Sequence, residues 1–209
     1  LFRALAGGLQ ARAAELGADG ERQSARIQAA FLSYERNQTE EFGTRHDHFE
    51  LVGQDNVRRY LPAGEARIRV HPEDSPFDLF ARVGAAHTAG NHVTVSAPPG
   101  HADTALKLLE ELTESWAGAI EFVDEDDAQL VQAISARQAD VVRYAAPDRA
   151  PLAVLQASAQ TAIPVVSRPV LGEGRVELLW YLREQSLSID YHRYGNLGSR
   201  ARESRAEPL

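Results

Sequence analysis

The stretch ARIRVH (Ala66–His71), followed by Ser75-Pro76, a helical run and then HVTVS (His92–Ser96), decides the fold. Both short runs alternate apolar with polar or branched residues, the signature of strands. Between them, Ser75 is a favourable N-cap and Pro76 suits a first helical turn. Phe77, Phe80, Val83 and Gly84 then recur at helical spacing until Gly90. The same unit repeats downstream. Residues 102–116 put Ala105, Leu108, Leu109, Leu112 and Trp116 on one helix face, and Ile120–Val123 is a third strand. A helix over 126–138, a strand at Val141–Tyr144, a loop between Pro147 and Pro151, a helix over 151–160 and a strand at Ile163–Val166 complete the series. Strands alternating with helices at this interval mean right-handed βαβ crossovers. The predicted class is α/β, an open, mostly parallel Rossmann-like sheet with helices on both faces, occupying residues 51–170.

Working outward, residues 1–50 read as helical. Leu1, Phe2, Leu5 and Leu9 mark one face, Gly17–Gly20 is a break, and Ile27, Phe31, Tyr34 and Phe42 mark a second helix over 21–42. Each stripe is narrow, so these helices are expected to need a partner surface. On the other side, residues 171–196 read as a β-flap. Arg175–Leu182 and Ser186–Tyr191 look like two strands joined across Arg183-Glu184-Gln185. A two-stranded ribbon is marginal alone, so pairing with another chain or domain is expected. Residues 197–209 are polar and read as a disordered tail.

The 209 residues carry 22 Lys+Arg against 30 Asp+Glu, a net charge of −8. That balance argues against a nucleic-acid binder. No apolar run is long enough to span a bilayer, and no leader pattern opens the chain. Its 0 cysteines exclude disulfides, thiolate metal sites and a cysteine nucleophile within it, and they fit a cytoplasmic setting. There are also 0 methionines and the chain opens on Leu1, so it is read as a piece of a longer polypeptide.

Several motifs invite chemistry. A dinucleotide site needs a glycine-rich turn after the first strand, where backbone N–H groups approach a pyrophosphate. Here the turn is His71-Pro72-Glu73-Asp74-Ser75, without glycine and with two acids. No cofactor is therefore expected in this chain. His46-Asp47-His48 lacks further ligands nearby and reads as surface or a helix-end contact. Ser96, His101 and Asp124 can be drawn as a triad, yet Val95-Ser96-Ala97-Pro98 is no nucleophile elbow. Residues 110–127 hold eight acids and no Lys or Arg, reading as a solvated face and an acidic helix start. Asp190 and His192 share a strand face, but an interface reading is favoured for this region. The candidate interface residues are Trp180, Tyr181, Arg183, Glu184, Gln185, Tyr191, His192, Arg193 and Tyr194, types that dominate interface hot spots.

The segments GQDNVRRYLP (Gly53–Pro62) and GRVELLWYLREQSLSIDYHRYGN (Gly174–Asn196) carry a family resemblance. They resemble the C-terminal region of long bifunctional proline-catabolic flavoenzymes of the proline utilization A type. Those enzymes join an FAD-dependent proline dehydrogenase barrel to an NAD-dependent L-glutamate-γ-semialdehyde dehydrogenase. The long forms end in a non-catalytic domain similar to the aldehyde dehydrogenase superfamily. The resemblance, over about residues 45–196, implies a role in assembly and in covering the tunnel that channels the intermediate. It implies FAD and NAD in the parent enzyme, upstream catalytic domains as partners, and a homo-oligomer. No catalytic residue carries over. The alternatives are a free-standing nucleotide or small-acid binding module and a hydrolase using Ser96 or His192.

Overall fold

The computed structural model describes residues 2–116 and 118–190. Strands β2 (Glu65–Arg69), β3 (His92–Ala97), β4 (Ile120–Asp124), β5 (Val141–Tyr144) and β6 (Val165–Ser167) form one parallel sheet in the order β4-β3-β2-β5-β6. The chain therefore starts in the middle, winds out to β4, and returns across β2 to β5. Helices α3 (Pro76–Thr88) and α4 (Thr104–Leu112) pack on one face, while α5 (Asp127–Ser135) and α6 (Leu152–Thr161) pack on the other. Alternate residues of β2 and β5 sort between the faces. Ala66, Ile68 and Val141 enter the larger core, and Val142 and Tyr144 the smaller one.

Local chemistry sets the helix starts. Ser75 accepts from the Asp78 N–H at 3.2 Å while Asp78 Oδ2 accepts from the Ser75 N–H at 3.0 Å, a reciprocal cap. Asp126 and Gln129 repeat that arrangement at α5, with both bonds at 2.8 Å. Asp103 caps α4.

The N-terminal helices have their partner within the chain. In α1 (Phe2–Ala11) and α2 (Gly20–Asn37), Leu5, Leu9, Ile27, Phe31 and Tyr34 are buried in the same core as α3 and α4. At about 1.5–3 kcal/mol for each large apolar side chain removed from water, this cluster contributes substantially to the fold. Gly84 of α3 makes the approach possible, since a Cβ there would stand 2.2 Å from Phe31 Cε1. The partner surface these helices are expected to need is supplied by α3 and α4 of the same chain. Their stripes are narrow because α3 and α4 also cover the sheet and leave only one flank to fill.

The flap is corrected. Residues 175–181 form no strand. They continue α7 (Gly174–Glu177) into a 3-10 turn, Leu178–Tyr181. Gly174, Glu177, Leu178 and Tyr181 are buried while Val176, Leu179 and Trp180 are exposed, a helical period that the β-rich composition masked. One unbroken strand, β7 (Leu182–Asp190), follows and pairs antiparallel with β1 (Gln54–Pro62) over nine positions, Gln54 opposite Asp190 and Pro62 opposite Leu182. The ribbon is thus closed within the chain. Asp55 and Val57 bury alternate positions of β1.

Asn91 locks this ribbon to the sheet. Its Oδ1 accepts from the Gly64 N–H at 2.9 Å, and its Nδ2 donates to the Ala86 and Tyr181 carbonyls, each at 3.0 Å. Ala63 N–H adds a bond to Tyr181 O at 2.9 Å. The junction needs glycine at position 64, where φ is 122° and a Cβ would lie 2.3 Å from Asp140 Oδ2.

Candidate functional site

In an open parallel sheet, ligands sit beyond the C-terminal ends of the strands where the winding direction reverses. Here that point lies between β2 and β5. A crevice of about 340 Å³ opens there, with Arg69, His71, Tyr144, Arg149, Asp126 and Asp127 among its walls. Its apolar surface comes from Val70 and from Pro72, Pro98, Pro99 and Pro151.

The electrostatics are built from two arginines. Arg69 is buried and donates to Ser96 Oγ at 3.0 Å, to Glu125 O at 2.7 Å and to Asp127 Oδ1 at 2.8 Å. Arg149 donates to Asp74 Oδ1 at 2.5 Å and to Glu73 O at 3.1 Å. Asp74 also accepts from Arg82, whose guanidinium is fully buried under the turn. Burial pushes the Tyr144 phenol upward, so it stays protonated at neutral pH. Among the described residues its hydroxyl has no hydrogen-bond acceptor, and Arg149 Nε also lacks one.

The turn after β2 does not fit a dinucleotide. The amides that would meet a pyrophosphate are taken by the protein's own carboxylates. His71 N–H donates to Asp74 Oδ2 at 3.0 Å, and Ser75 N–H to Asp78 Oδ2 at 3.0 Å. A phosphate placed here would have to displace those bonds.

Other predicted features disperse. Ser96 is fully buried against Arg69, whereas His101 and Asp124 line a separate cavity of about 350 Å³ beside Lys107. No triad forms. His46 Nε2 bonds Thr44 Oγ1 at 2.8 Å and lies 2.9 Å from Glu41 O, while Asp47 Oδ1 accepts from the Phe49 and Glu50 N–H groups. Among the described residues no cluster of three or more His, Asp or Glu side chains suits a metal. Within the acidic run, Glu125 is no solvated side chain. It is buried and takes both bonds from Arg67 Nη1, at 2.7 and 2.8 Å. The missed signal was the arginine at every second position of β2, which reads as exposed alternation but fills the polar side of the sheet.

The candidate interface residues also separate. Trp180 is exposed, as are Arg183 and Glu184. Arg183 pairs with Asp140 at 2.6 Å, and Gln185 Oε1 accepts from Arg59 Nε at 2.6 Å. Tyr181 does not join that surface. It is wholly buried, and its hydroxyl donates to Glu177 at 3.3 Å. Tyr191, His192, Arg193 and Tyr194, like the tail at 197–209, lie outside the described residues.

A buried ion pair supports the ribbon. Arg143 and Glu177 are both 0% exposed and meet at 2.9 Å. Burial pushes the Glu177 carboxyl up, opposed by Arg143, the Leu171 N–H and the Tyr181 hydroxyl. Burial also raises the phenols of Tyr34 and Tyr181, and lowers His87, which stacks on Trp116 at 4.0 Å.

No family model matches this chain, and no curated protein matches it. Solved structures do. A Burkholderia cenocepacia protein assigned as an aldehyde dehydrogenase superposes with TM-score 0.62 at 22% identity, over 78% of this chain and 37% of that one. Lactaldehyde dehydrogenase from Escherichia coli gives 0.61 at 14% identity, with the same 78% and 37% shares. Proline utilization A from Corynebacterium freiburgense gives 0.51 at 22% identity, over 80% of this chain and 14% of that one. The fold is therefore the Rossmann-like one found within aldehyde dehydrogenase superfamily structures, a proline utilization A structure among them. The chain spans about 37% of the length of these two dehydrogenase structures. Among the described residues, no helix is long and apolar enough to cross a membrane.

Proposed function

We propose that this chain is a non-catalytic domain of a bifunctional proline-catabolic enzyme that converts proline to glutamate. In this reading it assists assembly and covers the tunnel that carries the intermediate between active sites. The observation that carries it is a dehydrogenase-like sheet whose pyrophosphate-facing amides are occupied by Asp74 and Asp78 in a chain with 0 cysteines. An aldehyde dehydrogenase needs a thiolate nucleophile. The fold neighbours include a proline utilization A structure, which supports the assignment to that setting. FAD and NAD belong to the other domains of the parent, and the parent is a cytoplasmic homo-oligomer. The exposed outer strand of the ribbon and Trp180 are the surface offered to those partners.

The test is deletion of this domain from the parent enzyme. The expected result is two surviving half-reactions, a lag before coupled product formation, and altered oligomer size in light scattering. Unchanged coupling and unchanged mass in the truncated enzyme reject the proposal.

A further inference from the structure

The crevice between β2 and β5 holds more than a closed nucleotide site. Tyr144 is 1% exposed, with a hydroxyl that has no acceptor among the described residues, and it lies beside Arg69. Arg69 only donates, so it leaves the phenolic proton unsatisfied. Arg149 adds a second idle donor, its Nε–H, to the same walls. Leaving a buried donor unmet is unfavourable, and two in one crevice point to a missing acceptor. Asp126 and Asp127, both exposed, line the same crevice, and Asp127 Oδ1 already accepts from Arg69 at 2.8 Å. A simple anion meets the two donors but is repelled by these carboxylates. A simple cation leaves both donors unmet, and Arg69 and Arg149 are themselves already paired, with Asp127 and Asp74. A molecule with both charges a few bonds apart meets the idle donors and the carboxylates alike.

We propose that this crevice binds a small zwitterion of the α-amino-acid class. Its carboxylate accepts from Tyr144 Oη and Arg149 Nε, its ammonium group faces Asp126 and Asp127, and a short side chain lies against Pro98, Pro99 and Pro151. The volume, about 340 Å³, suits a small ligand and lies at the lower end of ordinary ligand pockets. The raised phenol supports this assignment, because a protonated Tyr144 remains a donor at neutral pH. The proposal is independent of the assembly role, since it concerns the isolated chain.

The experiment titrates the purified chain with glycine, L-alanine, L-valine and L-glutamate, and in parallel with propionate, propylamine and NAD. Calorimetry and thermal unfolding are read at concentrations up to about 10 mM, where millimolar binders give measurable stabilisation. Binding is expected for at least one amino acid, about tenfold or more tighter than for propionate or propylamine. Tyr144→Phe removes one hydroxyl whose proton bonds nothing among the described residues. It is expected to leave the unfolding temperature unchanged or higher and to weaken amino-acid binding about tenfold, the effect of one charged hydrogen bond. Asp127→Asn, at an exposed position, is expected to weaken amino acids but to tighten propionate. Absence of amino-acid binding, propionate binding as tightly as the amino acids, binding unaffected by both variants, or NAD binding in the crevice overturns the proposal. If Tyr144→Phe unfolds the chain, Asp127→Asn alone decides by the same opposite responses.

Discussion

Replacing Glu177 with glutamine should be among the most damaging single changes to this fold. The side chain is 0% exposed and accepts from Arg143 Nη2 at 2.9 Å, Arg143 Nε at 3.2 Å, Leu171 N–H at 3.0 Å and Tyr181 Oη at 3.3 Å. Glutamine keeps the volume but removes the charge and offers only one acceptor oxygen. Arg143, also 0% exposed, cannot shed its proton and is left buried without a counter-charge. Breaking such a pair by deleting one member costs about 3–5 kcal/mol. Arg143→Met leaves the converse defect, a lone carboxyl that burial already pushes upward and that can take a proton. It also strands the Arg168 carbonyl, now bonded at 2.7 Å. The double variant removes both charges and should recover at least about 1 kcal/mol relative to the sum of the singles. The assay is urea unfolding of the four proteins, followed by tryptophan fluorescence and circular dichroism. The sign with pH follows from the raised carboxyl. In Arg143→Met, the folded state holds the proton more tightly than the unfolded state, so stability is fully present below the ordinary value of 4.5 and falls as pH rises through the folded value. Additive single effects within about 0.5 kcal/mol, or a Glu177→Gln cost under about 1 kcal/mol, would refute the pair as the ribbon's anchor.

Three further outcomes are expected. Gly84→Ala places a Cβ 2.2 Å from Phe31 and should cost about 1–3 kcal/mol from overpacking, less about 1 kcal/mol of helix propensity, measured by thermal unfolding. Pairing it with Phe31→Leu should restore part of the loss. His87 is lowered by burial, so the unfolded chain takes a proton first as pH falls below the ordinary 6.5, and stability drops from there through the folded value. His87→Gln should flatten that slope in melting temperatures recorded between about pH 7 and 5. Asn91→Ala strips three buried bonds from the junction of ribbon and sheet and leaves the Tyr181 carbonyl and Gly64 N–H undersupplied. Hydrogen exchange should then rise along Gln54–Pro62 more than along β3, and equal protection in both strands would contradict the lock.

How much of the site was legible depends on the distance over which each group acts. The acidic, glycine-free turn His71–Ser75 was readable as a poor pyrophosphate cradle from its residue types. Its actual closure by Asp74, Asp78 and Arg149 needs a bond across 75 positions in the chain, which no local pattern encodes. Tyr144 carried no motif. It became notable because β5 lies beside β2, so that its hydroxyl meets Arg69. Glu125 looked like one acid among many and is instead the counter-charge to Arg67, 58 residues away.

The sequence by itself determined the parallel α/β sheet, because βα alternation, caps and helix stripes are local and repeat along the chain. It also excluded a thiol nucleophile outright, since that is a matter of composition. Tertiary structure decided where strands without a local partner signal go. Gln54–Pro62 and Leu182–Asp190 pair across 120 residues or more, and neither specifies the other by its own pattern. It also decided that Gly174–Tyr181 is helical. A segment rich in Leu, Trp and Tyr fits either period, and the choice falls to whichever face finds a core, here through Leu178, Tyr181 and the buried pair beneath them.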